Sequence, residues 1–484
     1  MDDGGWIMTR AIVGTLLTLA LAGPWAGPSQ ASEVPATFVE TPCIGDFSRL
    51  PNQVECRLLI VPETRGLDNG RKVVIPVVVV RGVGAQRKPD PVIVLHGGPG
   101  GGEIEGLADS LSGHPELVGD GRDWIFFDQR GSGLSTPTLD CGAVGLSDAG
   151  LTDDFAVAAA RACGQRHAAA GVDLGQYNIA AIVLDLADLR GALGIDEYNL
   201  LGTSYGSRVA MGVMQRDTRG LRAVVLDSLW PPEASWTGPL PPLVSRETRK
   251  VLALCAQDEL CGARHPDLER RFDALLTEWL QAPRVIGTRR YTADDVAAFL
   301  LESLYDADGT RRLPGSIAKL LGDDYSELDQ FLWQQSGYVE GLFLANLCKE
   351  EFSFESATAI EGIDGEDPIA IATARASARN FAACDGFPVG PPDPLDNQPV
   401  VSPLPTLILA AGIDAGCPVE LAEAAVQRLS NGQLALFPNT THSVRWQSRC
   451  AQGIVARFLD DPRARIDTSC IAVEHAKFEF RLDD

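Results

Sequence analysis

Positive charge is scarce in this chain. Its 484 residues carry 41 Lys and Arg against 65 Asp and Glu, a net charge of −24. A surface of that sign repels phosphate backbones, so nucleic acid is not an expected partner. The carboxylate excess reads first as a solvated, solubilising surface and only second as an attraction for cationic substrates. Histidine is sparse too, with six scattered residues. No CxxC pair and no HExxH helix occurs, so neither a metal centre nor a cofactor is expected. The glycine-rich stretch 97–102 lacks the G-x-x-x-x-G-K-[ST] pattern, which removes the phosphate-loop reading. Internal repeats and long low-complexity tracts are missing as well. A composition of 45% hydrophobic and 22% charged residues excludes wholesale disorder and a coiled-coil rod.

Long apolar runs are also absent. Ala11–Ala22 is an apolar run of 12 residues, against the roughly 20 that a spanning helix needs. Arg10 precedes it, and Ser29-Gln30-Ala31 places small residues where a signal peptidase requires them. A secretory signal peptide over 1–31, cut after Ala31, is therefore expected. Asp2 and Asp3 fit a basic leader poorly, which makes Met8 the alternative start. The expected mature protein is free of the membrane and exported to the periplasm or the medium. Eleven cysteines all follow residue 31. Export permits disulfides, and close spacings suggest local bridges: 43–56, 141–163, 255–261, 348–384 and 450–470, leaving Cys417 odd.

Short apolar runs alternate with turns and helical patterns from Cys56 to about Trp230. Arg57–Val61 and Val73–Val80 read as an antiparallel pair, and Pro91–Leu95, Trp124–Phe127, Tyr198–Leu201 and Leu221–Leu226 as later strands. Ile182–Leu193 has helical spacing and Gly194 as its stop. Strands that are apolar on both faces argue for a mostly parallel sheet covered by helices on both sides. From Pro231 to about Ser402 only helical patterns occur, among them Arg271–Leu280, Asp294–Leu304 and Pro368–Ala383, and Pro391–Pro394 looks like a linker. Strands resume at Pro405–Ala411 and Gln433–Phe437. The expected division is a core over 32–230, a helical cap over 231–402 and the rest of the core over 403–484.

Gly202-Thr203-Ser204-Tyr205-Gly206 follows a strand and precedes a helix, the setting of a G-x-S-x-G nucleophile elbow. A sharp strand-to-helix turn strains the serine backbone and leaves room only for small neighbours. A serine hydroxyl needs a base. His442 follows the last strand-like segment, and Asp414, after the strand ending at Ala411, would orient it, with Asp227 as the rival acid. Asp128 reads as holding its own turn. An oxyanion needs unobstructed backbone N–H groups, for which Gly98 in His96-Gly-Gly-Pro-Gly100 and Tyr205 are the candidates.

His96-Gly-Gly-Pro-Gly100, Asp128-Gln-Arg-Gly-Ser-Gly133 with Ser135, Gly202-Thr-Ser-Tyr-Gly206 and Leu226-Asp227 together resemble the prolyl iminopeptidase and tripeptidyl aminopeptidase group of α/β-hydrolases. The cysteine layout and the section from about Ser402 to Cys470 are similar to its secreted, tripeptidyl-aminopeptidase-like branch. The resemblance implies an α/β-hydrolase fold with an inserted helical cap, and a serine exopeptidase acting on peptides with a free N-terminus. It departs at the acid loop, where Asp414-Ala-Gly-Cys417-Pro418 stands for the group's Asp-Pro-Val-Thr-Pro. Cys417 then reads as a buried, inert thiol, with a redox-sensitive one as the alternative. Leu347-Cys348-Lys349-Glu350-Glu351-Phe352 looks like the group's Cys-x-Glu segment, which implies Glu350, and second Glu351, as anchors for the substrate ammonium. An esterase or amidase with the same triad but no amine anchor is the alternative activity, and a catalytically silent binding protein is another.

Overall fold

Among the described residues nine strands form one sheet in the order β1-β2-β3-β5-β4-β6-β7-β10-β11. In chain order the strands are β1 (Thr37–Glu40), β2 (Val54–Pro62), β3 (Lys72–Val80), β4 (Val92–Leu95), β5 (Trp124–Phe127), β6 (Tyr198–Ser204), β7 (Leu221–Leu229), β8 (Arg284–Ile286), β9 (Arg289–Tyr291), β10 (Thr406–Ala411) and β11 (Gly432–Phe437). The computed structural model describes residues 36–482 apart from 68–69, 85–86, 120, 143–152, 334–338, 362, 364 and 366. The expected signal peptide at 1–31 lies outside the described residues.

The β1–β2, β2–β3 and β3–β5 pairs are antiparallel, and every pair from β5–β4 across to β10–β11 is parallel. The two faces of the sheet bury two separate clusters. Val77, Val79, Ile93 and Leu95 enter one with the helices Ile179–Leu193 and Tyr205–Arg216. Val78, Val80, Val92 and Val94 enter the other with Ile104–Gly113 and Arg449–Asp460. Successive residues of a strand point to opposite faces, so unbroken apolar runs are what a sheet covered on both sides requires. Each such side chain, fully buried, stabilises the fold by about 1.5–3 kcal/mol.

Local signals set the helix ends. Asn178 caps Ile179–Leu193 by accepting from the Ala181 N–H, and Gly194, at φ 65°, ends it in the left-handed region. Asp128 does more than hold its own turn. One oxygen accepts from Leu134 N–H, and the other accepts from Glu103 and Ile104 at the start of Ile104–Gly113.

Between β7 and β10 the elements among the described residues are helices apart from the β8–β9 hairpin, a short, mostly exposed pair that the alternation test missed because it is only three residues a strand. The four-residue edge strand β1 was missed as well, being mostly exposed and without an unbroken apolar run. These helices have their own core, with Phe272, Leu276, Trp279, Leu300, Leu304 and Leu313 among its members. Ile413 and Ala415, from the segment after β10, pack into it. The stretch around Pro394 is no loose linker, because Arg216 pairs with Asp393 and Asp396, and Arg208 donates to the Asp396 carbonyl.

Disulfides join Cys43–Cys56, Cys141–Cys163, Cys255–Cys261, Cys348–Cys384 and Cys450–Cys470, the expected local pairing. Cys417 is the free cysteine and is buried.

Candidate active site

Ser204 ends β6 and directly precedes the helix Tyr205–Arg216, with φ 56° and ψ −126°. A non-glycine residue in that region costs about 1–3 kcal/mol and persists only where its surroundings enforce it. Here they do. A Cβ on Gly206 would lie 2.0 Å from the Leu95 carbonyl oxygen, and one on Gly202 would lie 2.3 Å from that of Gly206. The elbow is thus wedged against the end of β4, and any larger side chain would push the two apart. Gly97 lies against Ser204 itself, since its Cβ would sit 2.9 Å from the Ser204 Cβ. The positive end of the helix dipole beneath Ser204 favours developing negative charge.

Asp414 and His442 come from the loops after β10 and β11. His442 Nδ1 and Asp414 Oδ2 are 2.7 Å apart, a charge-assisted hydrogen bond. The other carboxylate oxygen accepts the Gly416 and Cys417 N–H groups at 3.1 and 2.8 Å, which fixes the acid's rotamer. Burial works to lower the His442 pKa, but the charges of Asp414, Asp227 and Glu302 outweigh it and hold the value above the ordinary 6.5. The rival acid, Asp227, spends its carboxylate on the Val444 and Arg445 N–H groups, at 2.9 Å each.

Ser204 and His442 line one cleft of about 710 Å³ between the sheet and the helical insertion. Its apolar walls include Phe126, Trp236, Phe331, Leu332, Phe343 and Trp446. Three carboxylates line it as well: Glu103 from the sheet side, and Glu302 and Asp306 from the insertion. Partial removal from water raises the Glu302 pKa, the nearby charge of Asp306 adds to this, and His442 opposes it. Burial likewise raises Glu103, against the charge of His96, whose Nε2 is 3.6 Å away. Tyr305, one turn from Glu302, sets its ring edge-on to His442 at 4.7 Å between centroids.

Gly98 lines the cleft beside Ser204, at φ 120°, and Tyr205 begins the helix behind it. Glu350 and Glu351 do not reach the cleft, which corrects the expectation that they anchor a substrate amine. Both are buried in the single π-helical turn Leu347–Glu351. Glu350 accepts from Ile179 N–H at 2.7 Å and Tyr205 O–H at 2.9 Å, tying the insertion to two core helices. Glu351 forms an ion pair with buried Arg208, which also donates to the Glu350 carbonyl. Glu350 gives one oxygen to each of these internal donors and Glu351 is committed to Arg208, so both act as internal ties outside the cleft lining. The carboxylates that do face the cleft were missed. Glu103 was findable, because it ends the glycine run that starts at His96, whereas Glu302 lies in an ordinary helical pattern that carries no mark of a site.

Among the described residues, Asp414, Cys417 and His442 form a group whose ligand atoms all lie within 4.8 Å of one another, the spacing at which a metal could be held. The hydrogen bond between His442 and Asp414 uses two of those atoms. The Cys417 thiol is pushed well above its usual range, by burial first and then by Asp414, so it stays protonated and resists metallation.

The α/β-hydrolase fold family matches residues 90–448. Over 214 residues the chain is 27% identical to the serine protease Hip1 of Mycobacterium tuberculosis, and equally to that of Mycobacterium bovis. Each match covers 40% of this chain and 40% of the relative, so the chain spans about two-fifths of the length of the curated relatives it matches. Among solved structures, the proline iminopeptidase of Mycobacterium smegmatis is 18% identical, with 84% of this chain and 98% of that one covered and a TM-score of 0.38. A thermophilic esterase from Thermogutta terrifontis is 16% identical, with 84% and 99% covered and a TM-score of 0.37.

Proposed function

The chain belongs to the α/β-hydrolase fold family, and from that membership we propose that it is an exported serine aminopeptidase, releasing residues or short peptides from a free N-terminus. One observation carries the reading. A strained Ser204, an Asp414-bound His442 and the carboxylates Glu103 and Glu302 share a single cleft.

In the proposed reaction Ser204 Oγ attacks the scissile carbonyl carbon while its proton passes to His442 Nε2. Asp414 accepts the hydrogen bond from the Nδ1–H, which keeps that proton on the ring, and stabilises the imidazolium that forms. The N–H groups of Gly98 and Tyr205 receive the oxyanion. His442 then protonates the leaving amine, and water, deprotonated by the same imidazole, hydrolyses the acyl-enzyme. A substrate ammonium entering this half-apolar cleft loses hydration, which a carboxylate must replace. Glu302, with Asp306 beside it and Glu103 across the cleft, supplies that replacement. These carboxylates favour a peptidase over the esterase alternative, because a neutral ester has no use for them.

The test compares Ala-, Pro- and tripeptidyl-arylamides with their N-acetylated forms and with p-nitrophenyl esters. Ser204→Ala should lower kcat by several orders of magnitude on all of them. Glu302→Gln should lower kcat/KM for free-amine substrates by about 10-fold to 100-fold and leave blocked substrates and esters within about twofold. Equal turnover of blocked and free peptides by the unmodified enzyme would sink the aminopeptidase reading.

A further inference from the structure

We propose that Asp227 and Ser228, at the end of β7, are positioning residues that hold the backbone following His442 and so set the imidazole between Ser204 and Asp414. The inference rests on the catalytic triad proposed above.

The place in the sheet is the first argument. β7 lies between β6 and β10, and Asp227 is in register with Thr203 on one side and Leu409 on the other. It therefore stands between the strand that delivers Ser204 and the strand that leads to Asp414. The third member of the triad comes from a loop, and that loop has to be referred to the same frame.

The second argument is how the loop is held. Three consecutive N–H groups after His442 are received by two consecutive side chains of β7. Ser443 donates to Ser228 Oγ, and Val444 and Arg445 donate to the two oxygens of Asp227, all at 2.9 Å. Both ends of this contact are strained. Ser228 has φ 53° and Ser443 has φ 63°, neither being glycine, and the β6–β7 register shifts between Thr203 and Ser204. Backbone in that region is retained only where packing and hydrogen bonds over-determine it.

The third argument is cost. Asp227 is fully buried, and placing a carboxylate there is unfavourable unless its oxygens are received in full. Burial pushes its carboxyl up to about 6 despite the two backbone N–H donors. The charged or titratable groups facing it are His442 and Arg445 from the loop after β11 and Cys417 from the acid loop. Protonation replaces an acceptor by a donor and breaks one of the two bonds, so the clamp loosens on the acid side of its titration. The negative charge also helps to raise the His442 pKa.

Asp227→Asn tests this, read with a p-nitrophenyl ester so that the cleft carboxylates do not enter. The amide group can receive only one of the two N–H groups. The expected result is a fall in kcat of about 10-fold to 100-fold with KM within about threefold. The acid limb of kcat should change as well, from a slope approaching two protons in the native enzyme to one in the variant, with a lower midpoint. A role confined to folding would leave the slope at its native value, whereas loss of the charge lowers the midpoint in either case. If Asp227→Asn does not fold, Ser228→Gly decides, because glycine accepts φ 53° without strain while the hydroxyl is lost. A fall in kcat of about 3-fold to 10-fold is then expected. Native kcat in folded Ser228→Gly, or a native acid limb in folded Asp227→Asn, overturns the proposal. Turnover retained by Ser204→Ala would instead overturn the triad, whatever the β7 variants do.

Discussion

Glu350 and Glu302 are both carboxylates of the helical insertion, and their surroundings give them opposite uses. Glu350 is enclosed, with Ile179 and Tyr205 as its donors, whereas Glu302 opens into the cleft beside Asp306 and His442. Removing an enclosed acceptor leaves its donors unsatisfied, at about 1–3 kcal/mol. Glu350→Ala should therefore lower thermal stability and reduce activity on free and N-blocked substrates by the same factor. A selective loss on free amines would return the anchor to Glu350. At His442 the direction of the pKa shift makes a second prediction. The base must be neutral to accept the Ser204 proton, and Asp414, Asp227 and Glu302 hold its pKa above 6.5 against burial. Activity should accordingly be lost as pH falls, with the midpoint of the acid limb of kcat/KM above that value. Replacing Asp414 by Asn removes the leading stabilising charge and should move the midpoint down, which a pH profile would show.

Elements of the insertion are tied to one another by two disulfides. Cys348–Cys384 joins the turn that carries Glu350 to the end of the helix Pro368–Ala383, closing a sequence separation of 36. Cys255–Cys261 closes a separation of only 6. In the chain-entropy account the longer loop restrains the unfolded chain more, by about 1.6 kcal/mol between these two. Replacing the Cys348–Cys384 pair by alanine should therefore lower the denaturation midpoint more than replacing Cys255–Cys261. Equal losses in urea titration would show that native strain, rather than loop closure, governs both. The parallel strands were readable as unbroken apolar runs between turn residues, and helices such as Pro368–Ala383 by their spacing, whereas the long helix Leu240–Gln257 was not singled out. The three-residue strands β8 and β9 are too short to show a period.

For the whole molecule, the net charge of −24 and five disulfides describe a protein suited to an oxidising compartment. Peptide mass mapping of secreted or periplasmic material without reduction should recover the five pairs with Cys417 free. Ten free thiols there would overturn the pairing. Much of the site was already legible, because its signals are local. A Gly-Thr-Ser-Tyr-Gly elbow needs small residues within two positions of Ser204, and the chain order of Ser204, Asp414 and His442 follows the order of the strands that carry them. The sequence by itself determined a mostly parallel sheet with helical cover and named Ser204, Asp414 and His442 as the candidate triad, since periodicity and turn chemistry act over a few neighbouring positions. The tertiary structure alone decided which carboxylates face the cleft. Glu350, Glu351, Glu103 and Glu302 carry the same carboxylate on the same length of stem, and only the packing of the insertion against the core makes two of them internal ties and turns two towards the cleft. It alone set Asp227 beside the loop of His442 as well, across 217 positions of chain, a distance over which no sequence pattern carries information about contact.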